Sequence, residues 1–172
     1  MEMYKGNLVG TGKTAEEYKD IEFIEGYEEL LDEVSALWER LNEHHKSNSI
    51  HFKEKYDKFT FEDRRKGFLE KAKEAKLKIY LAKDKSTDTF IGYSICTITK
   101  DLIGELESLY VEAAYRKYGL GDKLITSALS WMKENHTKSI TIGVAAGNEQ
   151  AFKFYERYGF YPSVTLLKEK NI

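Results

Sequence analysis

Arg116, Lys117, Tyr118, Gly119, Leu120 and Gly121 form a turn of pattern R-x-x-G-x-G, set between the run ELESLYV over residues 105–111 and the sequence DKLITSAL that starts at Asp122. A helix that opens behind such a turn presents backbone N–H groups with no intrahelical partner, at the positive end of its dipole. Gly119 and Gly121 lack a β-carbon, so a phosphate could lie against the main chain there, and Arg116 adds a permanent charge. A lone G-x-G is more often turn punctuation than a ligand site, so this chemistry needs support from elsewhere in the chain. Glu105 and Glu107 lie two apart on a strand pattern and so project to one face. Carboxylates on a sheet are as often merely solvated or ion-paired. Tyr155 could donate a proton, but Phe152, Phe154 and Tyr158 crowd the same short segment, and by spacing alone Tyr155 reads as core.

The elements that would position these residues follow from periodicity. Residues 21–24 alternate as a short first strand. Tyr27, Leu30, Leu31, Val34, Leu37, Trp38 and Leu41 recur at helical spacing, which predicts a helix to about residue 45 with one buried face. A polar loop follows. Thr60 and Asp63 predict a cap that opens a second helix to about residue 76. Residues 78–83 and 89–99 read as a hairpin, with Ile103 and Gly104 turning the chain into the strand over residues 105–111. Beyond the central helix, residues 122–135, come a strand at 139–144, a short helix at 149–158 ending at Gly159, and a last strand at 164–167. An antiparallel beginning followed by a strand–helix–strand crossover implies an α/β fold, with a mixed sheet flanked by helices.

The turn lacks the third glycine of a Rossmann fingerprint, since Leu124 stands there, and it lacks the Gly-Lys-Ser/Thr of a Walker loop. Gly10, Gly12, Lys13 and Thr14 imitate the end of a Walker motif, but Asn7 occupies the place of its first glycine. LYVEAAYRKYGLG instead resembles motif A of the GNAT superfamily of N-acetyltransferases. Asn148, Ala151, Phe154, Tyr155, Gly159 and Phe160 resemble that superfamily's N-x-x-A-x-x-F-Y-x-x-x-G-F signature.

The resemblance spans roughly residues 20–167 and implies a GNAT-like acyl-CoA N-acyltransferase fold with acetyl-CoA as cosubstrate. The pyrophosphate would be held by Arg116, Lys117, Tyr118, Gly119, Leu120, Gly121 and Asp122. The pantetheine arm would lie along Leu109, Tyr110 and Val111, in a gap where the fourth and fifth strands splay, with Asn148 and Tyr155 beside it. It also implies Tyr155 as the acid that protonates the departing thiolate, Glu105 as base through water and Glu107 as the residue orienting the amine, the last two roles being exchangeable. The acceptor would be a primary amine of a small molecule or protein, and the carboxylates favour a cationic one. A non-catalytic acyl-CoA sensor keeps the same turn, and a nucleotide-binding domain is the remote third reading.

Length suits a single domain over residues 21–172, with residues 1–20 as a polar extension. The charge of −2, with Lys and Glu intermixed, gives no broad reason to expect nucleic acid or membrane as partner. One cysteine and the absence of a long apolar run point to the cytoplasm; a homodimer is what the resemblance implies. Cys96 reads as a small buried hydrophobe. His44, His45 and His51 suggest a metal, but adjacent histidines at a helix end do not aim at one point and nothing completes a ligand set, so they are candidates for contact with substrate instead.

Overall fold

Residues that alternate between apolar and polar along the middle of the chain build its longest strands, and helices cover both of the faces they create. The computed structural model describes residues 20–170, so the expected extension lies, but for Asp20, outside the described residues. Strand β1 (Ile21–Gly26) precedes a 3-10 turn (Glu28–Leu30) and helices α1 (Leu31–Asn48), α2 (Lys53–Lys58) and α3 (Phe61–Ala72). Then come β2 (Ala75–Asp84), β3 (Thr89–Thr99), β4 (Ile103–Val111), a 3-10 segment (Ala113–Tyr118), α4 (Leu120–Glu134), β5 (Ser139–Ile142), a 3-10 turn (Glu149–Ala151) and α5 (Phe152–Glu156). The five strands lie in chain order, antiparallel from β1 to β4 and parallel between β4 and β5. This is the expected mixed sheet, with α4 as the crossover.

One face of the sheet buries Leu77, Ile79, Leu81, Tyr93 and Ile95 under Leu31, Val34, Leu37 and Trp38 of α1 and Phe68 of α3. The other buries Cys96, Ile98 and Leu106 under Ile125, Ala128, Leu129 and Met132 of α4, with α5 against the same cluster. Thr60 caps α3 as its sequence predicts: its hydroxyl accepts from the Asp63 N–H, and the Asp63 carboxylate accepts from the Thr60 N–H.

The differences from expectation are local. Helix α2 forms inside the expected loop, closed by Tyr56 turning inward. Helix α3 stops at Ala72 because β2 begins at Ala75 to pair with the far end of β3. Leu102, with φ of 64°, takes the left-handed turn before β4, while Gly104 lies inside the strand. The last strand expected at residues 164–167 is absent. Val164, Leu166 and Leu167 are 86%, 90% and 89% exposed, and the segment joins no ladder. Strand propensity measures fitness for a half-buried pleat, and β5, only four residues long, offers this segment none.

Gly104 is needed for packing. A β-carbon there would lie 2.8 Å from Met132 Sδ, 3.2 Å from Thr137 Cγ2 and 3.3 Å from Ile140 Cγ1. Gly104→Ala should therefore wedge β4 away from α4 and β5 and destabilise the fold by about 1–3 kcal/mol in urea denaturation; unchanged stability would mean that this junction is slack.

Candidate active site

Strand β4 changes character at Glu107. Ile95 of β3 pairs with Ser108 and Cys96 with Leu106, so Glu107 is an extra residue in a β-bulge. On its other side β4 pairs with β5 only from Ile103↔Ser139 to Leu106↔Ile142. Beyond that point the two parallel strands part, and among the described residues the β4 edge from Glu107 to Val111 has no ladder partner on that side. A cavity of about 80 Å³ opens in the gap, lined by Leu106–Leu109, Ile142–Ala145, Leu41 and His45 of α1, Asn148, and Tyr155 of α5.

Glu107 lines this cavity, whereas Glu105 does not. The Glu107 side chain is only 5% exposed: its Oε1 accepts from Lys71 Nζ and from Thr97 Oγ1 at 2.8 Å, and its Oε2 accepts from Arg64 Nη2 at 3.2 Å. Lys71 also reaches Glu105 Oε2 at 3.0 Å, and Arg64 donates to the Glu107 carbonyl at 3.3 Å. Burial works to lower the Lys71 pKa, but hydrogen bonds from the ammonium to Glu107 and Glu105 outweigh it and hold the pKa above the usual lysine value. Two carboxylates thus face two cations from α3, and the negative charge expected to attract a cationic amine is already balanced. Lys71 and Arg64 carried no signal in the sequence, because charges on a polar helix face normally read as solvated.

At the turn, Gly119 takes φ of 71° and caps α4 from the left-handed region, a true conformational need. Gly121 has ordinary helical geometry, and a β-carbon there would make only ordinary contact, 3.4 Å, with the Phe154 ring. Neither packing nor φ explains glycine at 121. Leu120 is buried in the core, and Tyr118 is partly exposed. Arg116 turns back: its Nε donates to the Val111 carbonyl at 3.0 Å and its guanidinium lies over the Tyr110 ring. Asp122 accepts from Tyr158 Oη and from Arg157 Nη1 at 3.0 Å, tying α4 to the turn that follows α5. The side chain of Lys117 lies outside the described residues. Leu109 faces the cavity, while Tyr110 and Val111 bury their side chains and lie outside its lining.

Burial pushes the Tyr155 phenol up to about 12, so it keeps its proton at neutral pH. Asn148 Oδ1 lies 3.3 Å from His44 Nε2, bridging the segment after β5 to α1. His45, one residue on, lines the cavity, and its Nδ1 is buried with no hydrogen-bond partner among the described residues. Among the described residues no three His, Cys, Asp or Glu side chains converge as a metal site, and no helix is long and apolar enough to cross a membrane. Cys96 is buried away from the cavity, and burial pushes its thiol up to about 12.

Comparison with known proteins agrees with this geometry. The model of the Acetyltransferase (GNAT) family matches residues 38–160. A putative acetyl transferase from Pyrococcus furiosus superposes with a TM-score of 0.64 at 25% identity, covering 88% of this chain and 99% of that one. An aminoglycoside N-acetyltransferase solved in complex with CoA shares the fold, with a TM-score of 0.61 at 14% identity over 88% of this chain and 94% of that one. Among curated proteins, a mycothiol acetyltransferase from Corynebacterium glutamicum is 39% identical over 33% of this chain, a match that spans only 20% of that protein. An uncharacterized N-acetyltransferase from Methanocaldococcus jannaschii is 30% identical over 38% of this chain and 29% of its own length. With the family model covering most of its length and the fold agreeing, this chain belongs to the GNAT acetyltransferase family.

Burial, followed by the charges of His44 and Lys55, depresses the His45 pKa to about 4, well below its ordinary value near 6.5. Between pH 6.5 and 4 the unfolded chain binds a proton at this position that the folded chain refuses, so the contribution of His45 to stability is full above pH 6.5 and is lost as pH falls toward 4. Urea midpoints should therefore fall across that window, and more steeply than in His45→Leu; equal slopes would place the imidazole in solvent.

Proposed function

We propose that this chain is an acetyl-CoA-dependent N-acetyltransferase that moves an acetyl group directly onto a primary amine of a small molecule or protein. The observation that supports it most is the cavity where β4 and β5 part, with Tyr155 and Glu107 in its wall and an unpaired strand edge alongside. When bound, acetyl-CoA supplies an acyl carbon activated by a thiolate leaving group. Its pyrophosphate would be held at residues 116–122, against the free N–H groups of the first turn of α4 behind Gly119 and Gly121. Its amide-bearing arm would run along the backbone of Leu109, Tyr110 and Val111, with Asn148 near the acyl end.

The fit rests on Gly121 more than on Gly119. Gly119 is required by its φ alone, but glycine inside a helix is less stable than alanine by about 0.8–1 kcal/mol. With room for a β-carbon present, that deficit is retained without structural return, as expected where a ligand must approach the backbone.

Within the cavity, Tyr155 holds the proton that goes to the departing sulfur as the C–S bond breaks and the C–N bond forms. Glu107, with both oxygens engaged, keeps the cavity wall in place and orients the amine, while Glu105, shared with Lys71 and outside the lining, passes the amine proton to solvent through water. Direct transfer suits the chain's own nucleophiles: Cys96 is buried elsewhere with its thiol protonated.

Two measurements test this reading. Gly121→Ala should fold with equal or slightly greater stability, by about 0.5–1 kcal/mol, yet bind CoA roughly ten-fold more weakly in calorimetry; undiminished affinity would remove the turn from the cofactor site. Tyr155→Phe keeps the ring and its packing, so it should lower kcat by about ten- to a thousand-fold with acetyl-CoA affinity nearly unchanged. An unaltered kcat, with chemistry rate-limiting, would leave water to protonate the thiolate.

A further inference from the structure

Tyr161, Val164, Leu166 and Leu167 stand exposed close together in the chain that follows α5. Single apolar residues on a surface need no explanation, but a run of them in a strand-forming sequence marks a place where another surface docks. The segment begins at Phe160, whose N–H donates to the Tyr155 carbonyl and which packs against the same cluster as Ile140 and Ile142 of β5. The tail therefore leaves the body of the protein on the β5 side of the sheet.

Among the described residues the sheet has β1 and β5 as its edges. Strand β1 is guarded by charge, with Glu22 and Glu25 along it and Lys78 paired to Glu25 at 3.2 Å. Strand β5 reads Ser139-Ile140-Thr141-Ile142, with no charge, proline or bulge, and among the described residues its outer side joins no ladder. Residues 163–166 repeat that pattern as Ser163-Val164-Thr165-Leu166. Laid beside β5 with Val164 and Leu166 on the face of Ile140 and Ile142, such a strand extends the apolar side that packs under α4. Ser163 and Thr165 then meet Ser139 and Thr141 on the other face. Pro162 stands just before the paired residues, where its missing N–H removes no ladder bond.

Within one chain this pairing is not made: the tail is exposed, and a four-residue edge alone gives it a neighbour on one side only. We propose that two copies of this chain exchange residues 163–167 about a two-fold axis, each tail adding as a strand to β5 of the other copy and lying antiparallel to the returning tail. The two sheets then join in the order β5, tail, tail, β5. Each tail gains a neighbour on both sides, which is the half-buried pleat its composition fits. The exchange closes on itself, since each copy gives one strand and accepts one, so assembly ends at a dimer rather than a fibre. Two tails buried together with the two edges that receive them supply roughly the 1,200–2,000 Å² of a specific interface. Strand β5 continues into Gly143, Val144 and Ala145 of the cavity wall, so the joined sheet fixes the strand from which that wall springs.

The experiment uses the full-length protein. Sedimentation equilibrium reads assembly, hydrogen exchange reads the tail amides, and filtered NOEs in a mixture of ¹⁵N- and ¹³C-labelled copies identify the strand beside β5. The expected result is a dimer with slow exchange at residues 163–167 and contacts from residues 139–142 of one copy to the tail of the other. Val164→Lys combined with Leu166→Lys should weaken dimerisation by about a hundred-fold while keeping the circular dichroism of a folded chain, because both side chains are exposed in a single copy. Thr165→Pro leaves the apolar side chains in place but removes an N–H from a strand paired on both edges, and should weaken the dimer by about ten-fold. A monomer at high micromolar concentration overturns the exchange. So does a dimer that survives both variants, since its contact then lies elsewhere. Slow tail exchange with contacts only inside one chain overturns it too, by returning the tail to its own β5. Assembly is read without turnover, so these outcomes stand apart from the transferase reading.

Discussion

The site depends on a parallel pairing that lasts four residues and then stops. From Ile103↔Ser139 to Leu106↔Ile142, strands β4 and β5 share a ladder; one residue later the bulge at Glu107 changes the path of β4, and its following edge is left without a neighbour. Unpaired backbone groups inside a protein are costly unless something else satisfies them. In this fold the open edge faces a cavity rather than another strand, and the same cavity is lined by Tyr155, whose buried phenol keeps its proton, by His45 and by Asn148.

Helix α3 is held to that gap by charge. Lys71 and Arg64 reach across to Glu107, whose side chain is nearly excluded from solvent, so removing either cation would leave a buried carboxylate undercompensated. The bulge makes this geometry possible: Ser108, the next residue, accompanies Glu107 on the face of the sheet under α1 and α3, where its hydroxyl lies 2.7 Å from Tyr93 Oη. Leu106 and Leu109, three apart, both pack toward α4. One extra residue therefore places two consecutive polar side chains on the face under α1 and α3 and restores the apolar face beyond them.

Much of the fold was legible because long, strongly periodic segments report their buried face directly. The spacing of Leu31, Val34, Leu37 and Trp38, the Thr60–Asp63 cap and the alternation through β2 and β3 all form as their patterns require. The glycine turn, Tyr155 and Asn148 enter as candidates through resemblance to a family; spacing alone reads Tyr155 as core, and it packs against the cluster under α4 while also lining the cavity. What could not be read was tertiary. No local pattern marks the bulge at Glu107, because E-S-L-Y still resembles a strand. Nothing distinguishes Lys71 from other lysines on α3 until the helix docks. The tail at residues 164–167 has strand composition but no partner, and Gly104 looks like a turn while Leu102 takes the positive φ.

The most direct measurement of whether the gap between β4 and β5 and the start of α4 form one cofactor site is a titration of ¹⁵N-labelled protein with CoA, followed through its backbone amides. If they do, the amides of Leu120, Gly121 and Asp122 and those along residues 107–111 move together and saturate at one concentration, while the β1–β2 edge stays still, and neither ATP nor NAD reproduces the pattern. Shifts confined to another surface, or an equal response to ATP, would contradict the assignment of this gap to CoA.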